Sequence, residues 1–223
     1  MKAVIFDLDG VITDTAHYHF LAWQKLAQSQ QVHFDEAFNE NLKGIDRMGS
    51  LELILAGAAR SYSDAEKRAL ADTKNEHYRT LIAEMSPADL LPGAVAALDW
   101  CRAQGLKVGL ASVSKNAFTV LESLGITDKF DYVVDAATIA RGKPDPEIFL
   151  RAASELGVDP ADCVGVEDAV AGVTAIKAAG MYAIGVGQAA TLWQADTVIP
   201  GLEQFKNTME TLCKTGASSG SCS

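Results

Sequence analysis

Short unbroken apolar runs alternate along the chain with longer stretches whose apolar residues recur every three or four positions. The runs at 3–6 (AVIF), 108–111 (VGLA), 132–134 (YVV), 163–166 (CVGV) and 182–186 (YAIGV) have the length and composition of strands. None alternates apolar with polar residues, so both faces of each strand should be covered, as in a parallel sheet. Helical patterns occupy 93–103, 117–124, 146–156 and 170–179, and the last three stop just before Gly125, Gly157 and Gly180. Glycine ends helices readily because it enters the left-handed conformation without a Cβ clash. Strands alternating with helices in this way predict an α/β fold with a doubly wound parallel sheet.

One block departs from the alternation. Residues 17–28, 35–42, 47–58 and 64–83 all carry helical patterns, with no strand run among them. Phe20, Trp23, Leu26 and Ala27 share one face at helical spacing, and Ser63 with Glu66 predicts a capping box. The block is too long for a crossover loop. It reads as a small all-helical domain, 16–86, inserted after the first strand of an α/β domain made of 1–15 and 87–223. The stretch 214–223 (KTGASSGSCS) is low in complexity and is expected to lack structure.

Composition narrows the partners. With 223 residues, 48% of them hydrophobic, the chain has enough apolar material for a sizeable core. Its apolar runs are far shorter than the roughly 20 residues a spanning helix needs, and its start does not read as a signal peptide, so a cytoplasmic protein is expected. A net charge of −10 argues against nucleic acid or an anionic membrane as partner, while leaving room for a local anion pocket. The four cysteines show no zinc-type spacing and read as free thiols.

Ligands of parallel α/β sheets bind beyond the carboxyl ends of the strands. Asp7 and Asp9 follow the first run, and Ser112 follows the second, with Val113-Ser114-Lys115-Asn116 opening a helix. Asp135 and then Lys143-Pro144 follow the third run, and Glu167 and Asp168 follow the fourth. Each residue alone reads more readily as a cap, a solvated turn or a surface ion pair. Their joint placement at successive strand ends points to a site. Asp7, Asp9, Glu167 and Asp168 gathered together would repel, so a cation is expected, and an oxygen-only ligand set suits Mg²⁺. Ser112 and Lys143 add a hydroxyl and a positive charge, and helix starts add backbone amides, all suited to a phosphoryl group. Asp7 is then the predicted nucleophile and Asp9 the predicted general acid and base.

These residues carry a resemblance. DLDGV at 7–11, Ser112 after a strand, Lys143-Pro144, and GVEDAVAG at 165–172 are similar in type and order to the motifs of the haloacid dehalogenase superfamily. Longer stretches, among them LKGIDRMGS (42–50), LASVSKNA (110–117) and KPDPEIF (143–149), resemble its β-phosphoglucomutase branch. The resemblance implies a Rossmann-like core, a helical cap, Mg²⁺, an aspartyl phosphate, and conversion of β-glucose 1-phosphate to glucose 6-phosphate through a bisphosphate. It implies that Ser112, Lys143 and the amide of Val113 hold the phosphoryl group in transfer. It assigns Arg47, Ser114, Lys115 and Asn116 to a second, distal phosphate. It places Lys43, Gly44, Ser50 and Lys74, with Thr15, His19 and Trp23, at the substrate or the cap hinge. Lys43 and Arg47 lie four apart, so a helix beginning near Ile45 would present both near one side. Small sugar phosphates are the expected partners, and a monomer the expected state.

Other readings compete. A phosphatase of the same superfamily, acting on a sugar phosphate or phosphoglycolate, would use the same Asp7, Asp9, Ser112 and Lys143. A signalling receiver domain also phosphorylates an aspartate, but it would be about half as long and lack the helical insertion.

Overall fold

The computed structural model describes residues 1–42, 45 and 47–216. It divides into two compact units, Met1–Asp14 with Ser86–Ser223, and Thr15–Met85. In chain order the elements are β1 (Ala3–Phe6), α1 (Ala16–Ser29), α2 (Glu36–Glu40), α3 (Arg47–Leu55), α4 (Asp64–Ile82), α5 (Ala94–Ala103) and β2 (Lys107–Leu110). Then follow α6 (Ala117–Leu124), β3 (Tyr132–Val133), α7 (Glu147–Leu156), β4 (Cys163–Glu167), α8 (Val170–Ala178), β5 (Tyr182–Val186), β6 (Thr197–Ile199) and α9 (Phe205–Gly216).

The larger unit is a parallel sheet in the order β3-β2-β1-β4-β5-β6, with helices on both faces. All of β1 is buried. Its alternate side chains serve opposite layers. Ala3 and Ile5 pack with Ile148 and Phe149 of α7 and Val173 and Ile176 of α8. On the other side the Phe6 ring lies 5.5 Å from Phe205 of α9, which also meets Trp100 of α5 at 6.1 Å. Burying a side chain such as Ile5 or Phe6 contributes about 1.5–3 kcal/mol. In register, Phe6 lies beside Leu110 and Val166, so the residues that follow these three emerge together at one edge. Two further hydrogen bonds, Asp7 N–H to Val166 at 2.9 Å and Ala111 N–H to Phe6 at 2.8 Å, carry the ladder past the strand ends. The strand order reverses direction about β1, between β2 and β4, which is where ligands of such sheets bind.

The smaller unit is helical. Trp23, Leu26 and Ala27 of α1, Leu51, Ile54 and Leu55 of α3, and Ala71 of α4 form its core. The predicted capping box forms: Ser63 Oγ accepts from Glu66 N–H at 3.3 Å, and Glu66 Oε2 accepts from Ser63 N–H at 2.8 Å.

Three expectations change. The sheet gains β6, Thr197–Ile199, whose apolar run is only Val198-Ile199 and so does not stand out. The chain also gains α9, so Lys214 to Gly216 end a helix and do not begin an unstructured tail; residues 217–223 lie outside the described residues. Finally, α3 starts at Arg47 rather than near Ile45, and Lys43 and Gly44 lie outside the described residues. Among the described residues no helix is long and apolar enough to cross a membrane.

Candidate active site

The center of the sheet's carboxyl edge is a buried ion cluster. Lys143 Nζ donates to Asp7 Oδ1 at 2.6 Å and to Glu167 Oε2 at 2.7 Å. The three side chains are only 10%, 9% and 2% exposed, so neither carboxylate relies on water for its countercharge. Asp7 is delivered by the end of β1 and Glu167 by the last residue of β4. Lys143 comes from the loop before α7. Glu147 shapes that loop by accepting from the N–H groups of Ala140 at 2.8 Å and Arg141 at 3.0 Å. The Lys143 ammonium also lies 5.1 Å from the center of the Phe149 ring.

The electrostatics follow from this burial. Desolvation raises the Asp7 pKa to about 6; Glu167 pushes the same way, and Lys143 opposes both. Glu167 is raised for the same first reason, again against Lys143. Burial works against the charge on Lys143, but the two carboxylates outweigh it and hold its pKa above the ordinary lysine value. At neutral pH, therefore, Asp7 is ionized and its partner cation stays charged.

Asp168 completes the group. Asp7, Glu167 and Asp168 each offer an oxygen within 4.8 Å of the others. Asp168 lies at the exposed rim, and partial desolvation followed by the charge of Asp7 raises its pKa to about 6. An anionic, all-oxygen trio fits a hard divalent cation. The Asp9 carboxylate is not part of this trio, although its charge also acts on Asp168. Asp9 is half-buried and bridges to Thr13 in the turn after β1. Gly10 shapes that turn, at a φ of 75° that favors glycine.

Ser112 is buried two residues beyond β2, and its Oγ accepts from Ser114 N–H at 3.2 Å. Ser114 Oγ in turn accepts from Asn116 N–H at 3.3 Å, coiling the loop into the start of α6. The side chains of Val113 and Lys115 are exposed. Asp135, also singled out at a strand end, caps a short 3-10 turn through Ala137 N–H at 2.9 Å.

The helical unit gathers its own set. Thr15, His19 and Trp23 recur every four residues from the start of α1. Lys74 of α4 is buried with its Nζ 2.9 Å from His19 Nδ1 and 4.4 Å from the center of the Trp23 ring. Burial, then the charge of Arg47, lowers the Lys74 pKa to about 7. His19 falls well below 6.5 through burial, then Lys74 and Arg47. Arg47, the first residue of α3, donates to Asn75 Oδ1 at 2.9 Å, and Ser50 Oγ donates to the Ile45 carbonyl at 3.4 Å. Sequence reasoning missed two members of this set, Asn75 and Tyr78. The Tyr78 ring stacks on His19 at 4.0 Å and lies 4.9 Å from Lys74 Nζ. The signal was available, since Tyr78 lies one helical turn after Lys74.

The model of the haloacid dehalogenase-like hydrolases matches residues 1–180. The chain belongs to the haloacid dehalogenase-like hydrolases. Within that family it is 54% identical over 201 residues to the β-phosphoglucomutase of Bacillus subtilis, covering 89% of each chain. It is 33% identical over 183 residues to the fructose-1-phosphate phosphatase YqaB of Escherichia coli, covering 82% of this chain and 95% of that one. Among solved structures, the β-phosphoglucomutase of Clostridium difficile is 46% identical with a TM-score of 0.89, covering 96% of this chain and 98% of that one. The doubly wound parallel sheet read from the apolar runs is the fold this family member adopts.

Proposed function

We propose that the chain is a phosphomutase interconverting β-glucose 1-phosphate and glucose 6-phosphate, with Asp7 carrying the phosphoryl group and β-glucose 1,6-bisphosphate as intermediate. The observation that carries the reading is the buried Lys143 bridge between Asp7 and Glu167, beside Asp168. It keeps the Asp7 carboxylate ionized in a desolvated place where a phosphoryl group would be stabilized. The likeness to the Bacillus subtilis β-phosphoglucomutase supports the substrate.

An Asp7 oxygen attacks one phosphorus of the bisphosphate, and the bond from that phosphorus to the sugar oxygen breaks. Asp9 gives its proton to the departing sugar oxygen, releasing glucose 6-phosphate. In the reverse sense Asp9 takes the proton of the 6-hydroxyl of an incoming β-glucose 1-phosphate as that oxygen attacks the aspartyl phosphate. Lys143 and Ser112 hold the oxygens of the group in transfer, with the Val113 amide. Mg²⁺ bound by Asp7, Glu167 and Asp168 would neutralize charge on the phosphoryl oxygens. The phosphate not in transfer needs cations and donors of its own, and Arg47, Ser114, Lys115 and Asn116 are the candidates.

The test is to incubate the protein with Mg²⁺, β-glucose 1-phosphate and a trace of the bisphosphate, and to follow glucose 6-phosphate and inorganic phosphate in parallel, with the α-anomer as control. Glucose 6-phosphate should dominate and should depend on the bisphosphate. Stoichiometric release of inorganic phosphate would instead make the chain a sugar-phosphate phosphatase.

A further inference from the structure

The Glu167 carboxylate folds back over the start of α8. Its Oε1 accepts from the N–H groups of Asp168 and Ala169, both at 3.2 Å, while Oε2 takes Lys143. The N-cap of α8 is Ala169, which makes no side-chain cap, so Glu167 supplies the oxygen at this helix end.

The remaining side of the carboxylate is bounded by Gly172, in the first turn of α8. A Cβ at Gly172 would fall well inside 3.0 Å of Cγ, Cδ and Oε2 of Glu167, a separation that real Cβ atoms do not keep. Gly10 stands in the same relation to Asp168, whose Cγ and Oδ2 occupy the space a Cβ would take. Both acids at the end of β4 thus lie against backbone that carries no side chain. Gly10 has a second reason to be glycine in its positive φ, but Gly172 has none. Its backbone is ordinary helix, where alanine is intrinsically preferred. Gly172 weakens α8 and supplies only space.

We infer that Gly172 is a positioning residue of the phosphoryl-transfer site: its bare Cα admits the Glu167 side-chain conformation that reaches Lys143 and joins the trio with Asp7 and Asp168. The inference rests on the proposed reading of that trio as the metal site. Any side chain at Gly172 displaces Glu167, and with it one metal ligand and one of the two carboxylate partners of Lys143.

A double-mutant cycle in metal-free buffer tests this, using wild type, Gly172→Ala, Glu167→Ala and the double variant. The melting temperature should fall with Gly172→Ala in the native background. It should hold or rise with the same change in the Glu167→Ala background, where the clash is gone and helix propensity alone remains. Binding of Mn²⁺, read from the free-ion electron paramagnetic resonance signal, should be at least about tenfold weaker in Gly172→Ala than in wild type. If Gly172→Ala fails to fold while the double variant folds, that is the same rescue in stronger form. The inference is overturned if Gly172→Ala lowers the melting temperature equally in both backgrounds, if neither alanine variant at 172 folds, or if Gly172→Ala melts and binds Mn²⁺ like wild type. Failure of the wild type itself to bind Mn²⁺ would remove the metal reading, and the melting cycle would still decide the positioning role.

Discussion

Replacing Lys143 with methionine keeps a long apolar stem and removes the one cation that, among the described residues, Asp7 and Glu167 share. Both contacts are short, 2.6 and 2.7 Å, and all three side chains are almost fully shielded from water. Removing one partner from such a group leaves uncompensated buried charge and costs about 3–5 kcal/mol. For a chain of this size each kcal/mol lowers the melting temperature by roughly 2–4 °C, so a fall of roughly 6–20 °C is expected at pH 8. The pH dependence makes the test specific. Asp7 has a folded pKa of about 6, above the ordinary value of 3.8, so its stabilizing contribution is fully present below the ordinary value. That contribution is lost as pH rises through 6, and the loss is about 3 kcal/mol. Without Lys143 the folded pKa values of Asp7 and Glu167 move higher still, and the loss continues to higher pH. The deficit of Lys143→Met relative to wild type should therefore be largest at pH 8 and should shrink toward pH 5. Urea unfolding at several pH values in EDTA measures it. A deficit below about 1 kcal/mol at pH 8, or one equal at pH 5 and pH 8, refutes the reasoning.

Two further outcomes are expected. Arg47→Ala should lower mutase kcat/KM about 10–100-fold, the worth of a charge-assisted phosphate contact, while acid-stable labeling of the protein by the bisphosphate stays measurable; unchanged mutase rates would remove Arg47 from the second phosphate. Lys74 has its folded pKa lowered to about 7, so the unfolded chain holds a proton that the native one lacks between pH 7 and the ordinary lysine value near 10.5. Stability should rise across that window, by up to about 5 kcal/mol less whatever the neighboring Trp23 and Tyr78 rings return to the charged form, and Lys74→Met should abolish the rise in urea titrations from pH 6 to pH 10.

The chain announces its central strands because buried parallel strands must be apolar on both faces. The run 3–6 is β1 itself, and the polar residues that end the runs mark the ligand edge. The edge strand β6 has only two apolar residues, Val198 and Ile199, where the other edge strand is marked by the run YVV at 132–134. The helix α9 did carry a signal, since Phe205, Met209 and Leu212 recur at helical spacing and the first two are fully buried, but it is one short stripe in an otherwise polar segment. At the site, Asp7, Ser112, Lys143, Glu167 and Asp168 were legible as strand-end residues. That Lys143 bridges two acids was not, because its loop is built by Glu147 gripping backbone N–H groups, a contact with no periodicity. Spacing alone groups Asp9 with the other acids; the oxygens of Asp7, Glu167 and Asp168 are the ones that come within 4.8 Å of one another, and the charge of Asp9 acts on Asp168. The Lys74, His19, Trp23 and Tyr78 cluster depends on how α1 meets α4, which neither helix states alone.

The central claim is that Asp7 is transiently phosphorylated. Rapid acid quench of the Mg²⁺-loaded protein with β-glucose 1,6-bisphosphate, borohydride reduction and peptide mass analysis tests it most directly. The account predicts conversion of Asp7, and no other aspartate, to homoserine, with the product absent in Asp7→Asn. Homoserine at a different aspartate, or full mutase turnover by Asp7→Asn, would contradict it.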